Sequence, residues 1–227
     1  MNISSSLRRP VVKVAIGIVV VAAAVGIGVS VADGGDSDEV ARGADAATTA
    51  PPTAQEDECG GMTIDHSAPI TRSTEILIDA PIDRVWDVQT DVENWGEWQE
   101  AVQTIERLDE GPFTSESQFR WTTPVPESEF SPADTLTITS SMQRLEPGRC
   151  LLWQGPAIGE SVTIDEGVHL WTFTETDGGT LVRTEESWDS ELLASLEGAD
   201  LDAVAALLGG GLDVWLSNLK AEAESAS

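Results

Sequence analysis

The stretch Val168 to Trp188, VHLWTFTETDGGTLVRTEESW, limits what this chain can fold into more than any other. Two alternating runs flank Asp177-Gly178, a dipeptide suited to a two-residue type I′ turn, in which both central residues take φ > 0. With that loop, Thr176 faces Gly179, Phe173 faces Val182, Trp171 faces Thr184 and His169 faces Glu186. Strand side chains alternate between faces, so His169, Trp171 and Phe173 share one surface with Val182, Thr184 and Glu186. It is mostly apolar, with one imidazole set across from one carboxylate. A three-residue loop over Asp177 to Gly179 would instead set His169 opposite Ser187.

The rest of the folded region follows the same rules. Thr71 to Ile78 alternates and reads as a strand. Pro81 then suits the start of a short helix over Ile82 to Thr90, whose apolar side is Val85 and Trp86. Asp91 to Trp98 reads as one more helical turn. Strand signals follow at Ala101 to Leu108, Ser117 to Thr123, Leu136 to Leu145 and Cys150 to Gln154. Val162 and Ile164 either extend that last strand or belong to the loop before the hairpin. Short strands at this spacing indicate an antiparallel meander. At the C-terminus, Leu201, Val204, Leu208, Leu212, Trp215 and Leu219 recur at threes and fours, one apolar helical stripe. Gly209-Gly210-Gly211 interrupts it at about 1 kcal/mol per glycine relative to alanine. A bend there is the preferred reading, and a close approach to the helix backbone the alternative.

Three stretches in this order resemble one family. They are Ile78 to Trp86 leading into Asp91 to Trp98; Ile138-Thr139-Ser140 with Glu146 to Arg149 and Leu151 to Gly155; and the hairpin from His169 to Glu186. Over about residues 70 to 224 the chain is similar to the START-like helix-grip superfamily, in its polyketide cyclase/dehydrase (SRPBCC) branch. The resemblance implies an α+β fold: a curved antiparallel sheet of about seven strands around a long C-terminal helix, with two short helices after the first strand. It also implies a cavity between sheet and helix for a hydrophobic ligand. The insertion from Pro124 to Asp134 is expected to place Val125 and Phe130 in a loop over the cavity mouth.

Candidate site residues follow from shared faces. His169 and Glu186 form the polar pair, a possible acid/base couple or a structural one. Phe173 and Thr184 lie on the same face. Of eight tryptophans, Trp153, Trp171 and Trp188 fall on strands and Trp215 on the closing helix, either filling a core or lining a cavity. Trp95 and Trp98 read as packing residues. Leu208 and Leu212 supply the helix side of the ligand site. Arg120 competes with Phe119 and Trp121 for the same interior. The chain has no tyrosine and two distant histidines, so a binding role is favoured over a cyclase or dehydratase reaction through His169 and Glu186. No cofactor is expected. No metal site is expected either, since the Cys and His spacings match no zinc pattern.

Charge and targeting signals set the surroundings. Forty acidic residues stand against twelve Lys and Arg, a net charge of −28, which disfavours nucleic acid as a partner. Arg8, Arg9 and Lys13 precede Val14 to Ala32, an uncharged run long enough to cross a bilayer as a helix. Residues 1–32 are therefore expected to be an export signal or N-terminal membrane anchor, with cleavage near Ala32 as the alternative to retention. Either way the remainder lies outside the cytoplasm. Residues 33–68, rich in Ala, Thr, Pro and acids, read as a disordered linker, and residues 69–225 as the domain. Cys59 and Cys150, the two cysteines, are either a disulfide or two free thiols.

Overall fold

The computed structural model describes residues 59–225. The expected signal or anchor, and the linker up to residue 58, lie outside the described residues. Strand β1 (Ile70–Ile78) leads into helix α1 (Ile82–Thr90), a 3-10 turn (Val92–Asn94) and the short helix α2 (Trp95–Trp98). Six strands follow: β2 (Thr104–Arg107), β3 (Gln118–Val125), β4 (Asp134–Glu146), β5 (Cys150–Ile158), β6 (Thr163–Thr176) and β7 (Gly179–Asp189). A short helix α3 (Glu191–Ala194), which the periodicity did not indicate, precedes the long helix α4 (Gly198–Ser225). The seven strands make one antiparallel sheet in the order β1-β7-β6-β5-β4-β3-β2. The helix-grip architecture is borne out.

The hairpin register is the one the two-residue loop dictates, with His169 paired to Glu186 and Thr176 to Gly179. Its turn chemistry differs from a type I′ turn. The glycine with left-handed φ is Gly179, at 117°, rather than Gly178. A Cβ on Gly179 would stand 2.1 Å from the Ile78 carbonyl oxygen, so the end of β1 closes over this position and admits no side chain.

Strand β5 is longer than the sequence suggests. It continues past Gly155-Pro156 through a register shift between Gly155 and Ala157. Proline lacks the N–H that a central strand needs, and a bulge is where a sheet tolerates it. A Cβ on Gly155 would sit 1.9 Å from the Thr139 carbonyl oxygen, so the bulge needs glycine. A second shift lies between Met142 and Arg144 of β4. Such irregularities bend strands and help a sheet to curl.

The concave face buries Leu151, Trp153, Trp171 and Phe173 with Leu212, Trp215, Leu216 and Leu219 of α4. Trp95 is wholly buried and meets Phe119, Trp121 and Trp215 edge-on, so α2 acts as a plug between sheet and helix. Polar anchors fix α4: Thr74 donates to Asp213 (2.8 Å), Lys220 Nζ to the Leu77 carbonyl (2.6 Å), and Trp215 Nε1 to the buried Gln89 (3.3 Å). The helix runs unbroken through its three glycines. At Gly209 the reason is a close approach, since a Cβ there would lie 2.8 Å from Arg72 Nε. Of the two readings, the close approach is the one seen at Gly209.

The opposite face carries a finding that corrects the linker boundary. Cys59 is bonded to Cys150, with Cα atoms 5.6 Å apart. Cys59 and Ile64 cover Leu152, Val168 and Leu170 in a second buried cluster. The backbone N–H of Asp65 donates to Ser187 Oγ (3.1 Å). Residues 59–68 are therefore a strap on the sheet. The apolar run Leu151-Leu152-Trp153 is buried on both faces because the strap covers one and the core the other.

Candidate functional site

A cavity of about 190 Å³ lies between the concave face and α4. Its floor comes from alternate residues of adjacent strands, Trp121 on β3, Leu136 and Ile138 on β4, Trp153 and Ala157 on β5. Ile164, His169 and Trp171 of β6 and Glu186 and Trp188 of β7 continue it. Leu208, Gly211, Leu212 and Trp215 form the roof. Two glycines lie on its lining. Gly155 lies in the bulge, and at Gly167 a Cβ would come within 3.2 Å of His169 Nε2. The α4 roof also presents Gly211, where an added Cβ would meet nothing within 4 Å.

One polar element interrupts this apolar wall. His169 Nδ1 lies 2.7 Å from Glu186 Oε2, with the imidazole stacked on the Trp153 indole at a centroid distance of 5.3 Å. Thr184 Oγ1, itself fully buried, donates to Glu186 Oε1 over 3.4 Å. Glu186 is 2% exposed, yet its Oε2 has no well-aligned hydrogen bond; the imidazole beside it is a close but off-axis neighbour. Trp153 Nε1 and Trp171 Nε1 are also buried without an acceptor. Buried polar atoms normally find partners, and three residues that line this cavity each carry one without an aligned partner. A carboxylate against an imidazole can also orient it and strengthen it as a base.

The sequence-predicted residues separate into groups. Trp153, Trp171, Trp188, Leu208, Leu212, His169 and Glu186 are brought together on the cavity. Thr184 stands behind Glu186 rather than on the wall. Phe173 lies beyond the cavity, packed edge-on against Trp86 (5.3 Å), because α1 covers that end of β6. Arg120 is a correction: it is exposed on the outer face and pairs with Glu106 (3.0 Å), since Phe119 and Trp121 take the inward positions of β3. Val125 and Phe130 are a second correction. Val125 ends β3 rather than lying in the loop, Phe130 lies in the shorter loop left before β4 begins at Asp134, and neither lines the cavity. Sequence reasoning did not name Ile138, Leu136 or Ala157 for the site, although the alternation of β4 carries that signal.

The sequence matches the family described as polyketide cyclase / dehydrase and lipid transport over residues 69–224. The chain belongs to this family. Family membership brings the helix-grip fold and relatives that bind hydrophobic small molecules. No curated protein matches the sequence. Among solved structures, a START superfamily protein from Mycobacterium smegmatis is 12% identical, with a TM-score of 0.56, covering 69% of this chain and 99% of that one. A protein from Thermus thermophilus is 18% identical, with a TM-score of 0.53 and coverages of 69% and 99%. The Zhui aromatase/cyclase from Streptomyces sp. R1128 is 17% identical, with a TM-score of 0.50 and coverages of 68% and 94%. At these identities the likeness is one of fold.

Proposed function

We propose that this domain holds a small hydrophobic molecule in the cavity under α4, with its polar group on Glu186 and His169. The observation that supports it is an apolar, tryptophan-rich cavity with one buried polar pair and unsatisfied polar atoms on its wall. Removing apolar ligand surface from water there contributes about 25 cal/mol per Å². Native mass spectrometry of the purified full chain is the direct test: a retained small molecule supports the reading, and no binding across a broad hydrophobic panel removes it.

The domain is proposed to work outside the cytoplasm, either tethered by residues 14–32 or released after cleavage near Ala32. The Cys59–Cys150 disulfide supports this placement, because such bonds persist in oxidising compartments. A tag after Ser227 that resists protease added to intact cells would overturn it.

A second reading is a cyclase or dehydratase using His169 as general base, oriented by Glu186. It is favoured by one observation, the 2.7 Å contact inside the cavity. Turnover of a polyketide-like substrate that vanishes in His169→Gln while ligand binding remains would establish it over simple binding.

A further inference from the structure

The cavity wall has a charge bias that its fold does not require. Trp121, Trp153, Trp171, Trp188 and Trp215 supply indole surface, and the ionisable groups on the wall are His169 and Glu186. Among the described residues, no arginine or lysine lines it. Arg120 points to the outer face and is engaged by Glu106. Arg72, the cross-strand neighbour of Glu186 on β1, is exposed and lies against Gly209 of α4, and among the described residues no ion pair joins it to Glu186.

Glu186 is therefore a deeply buried carboxylate whose Oε2 has the His169 imidazole as its close neighbour, at 2.7 Å, on a wall that no arginine or lysine lines. Burying a carboxylate is costly, and a cationic N–H donor is the group that stabilises it most. Indole faces carry negative quadrupole charge and attract cations, most strongly where water is excluded. An anionic ligand head would instead sit beside the Glu186 carboxylate on a wall that no arginine or lysine lines.

We propose that the cavity selects a hydrophobic protonated amine, whose ammonium pairs with the Glu186 carboxylate and lies against the indole faces, with its apolar body under Leu208 and Leu212. This rests on the binding reading above and sharpens it to one head-group charge. The indole N–H groups of Trp153 and Trp171 are left to donate to an ether or carbonyl oxygen on the ligand body.

The test compares four probes with one apolar body: naphthylmethylamine, naphthylmethanol, naphthylacetic acid and naphthylmethyl-trimethylammonium. Each is titrated calorimetrically into the full, disulfide-intact chain near neutral pH. The expected order is amine, trimethylammonium, alcohol, acid, with amine over acid by about tenfold or more, equivalent to about 1.4 kcal/mol. Glu186→Gln should erase the amine's advantage over the alcohol, bringing the two affinities within about threefold of each other. Should that variant fail to fold, the wild-type order of the two cations against the acid still decides. Acid binding as tight as amine, with the alcohol also bound, overturns the proposal and leaves the cavity reading standing. Binding by none of the four overturns both.

Discussion

His169 Nδ1 lies 2.7 Å from Glu186 Oε2, and the two residues are direct partners in the β6–β7 register. The pair is asymmetric: the carboxylate is nearly sealed, at 2% exposure, and the imidazole side chain keeps 15%. Removing the imidazole would leave a buried carboxylate without its neighbour. His169→Phe should therefore destabilise the fold by about 3 kcal/mol in chemical denaturation, whereas His169→Phe with Glu186→Leu should recover most of the loss. Additive effects of the two substitutions would show that the contact carries no coupling.

The strap offers a separate test. Cys59 and Cys150 are 91 residues apart, so their bond removes much freedom from the unfolded chain. Reduction, or Cys59→Ala with Cys150→Ala, should lower stability by about 2–5 kcal/mol. It should also loosen the cover over Leu152, Val168 and Leu170, read as increased binding of a hydrophobic dye. Identical melting with and without reductant would mean the strap is held by packing alone.

Two tryptophans should behave differently. Trp95 is fully buried and touches four aromatic rings, while Trp171 is equally buried but forms part of the cavity wall. Trp95→Ala should cost about 3–5 kcal/mol of stability. Trp171→Ala should weaken ligand binding more per unit of lost stability. Equal losses of binding in the two variants would remove the distinction between plug and wall.

The glycines of α4 differ in the same testable way. An added Cβ at Gly210 meets nothing within 4 Å, so Gly210→Ala should raise stability by about 0.5–1 kcal/mol through helix propensity and chain entropy. At Gly209 the new methyl would press on Arg72, and Gly209→Ala should gain less or lose. A gain at Gly209 equal to that at Gly210 would show that Arg72 moves aside freely.

The acid limb of stability is expected to depend on Asp109. The guanidinium of Arg107 (2.5 Å) holds its carboxyl well below the ordinary value of 3.8, helped by the Gln118 backbone N–H (2.7 Å) and Ser117 Oγ (3.0 Å). A folded-state value below the unfolded one adds stability above about pH 4 and loses it as pH falls further. Asp109→Asn should flatten that part of the profile in urea titrations between pH 5 and about pH 2. An unchanged slope would show that this cluster does not distinguish folded from unfolded chain.

The sheet strands and the main helices were legible from periodicity alone, since alternation and the three–four repeat are set within a few residues. The pairing of His169 with Glu186 was legible for the same reason: a two-residue loop counts both strands outward from Asp177-Gly178. The α3 turn escaped because four residues are too few to show a period. Trp121, Ile138 and Ala157 reach the cavity from three strands, and their meeting depends on the bulge at Gly155-Pro156 and the resulting curl. Arg120 points outward because Phe119 and Trp121 bury more apolar surface inward than a guanidinium can. Cys59 finds Cys150 because the sheet leaves an apolar patch for its segment to cover, which no local pattern near Cys59 encodes. Period and turn length are properties of neighbouring residues. A cavity, by contrast, is the space that side chains distant in sequence leave unfilled, and it takes shape only when the sheet has closed on its helix.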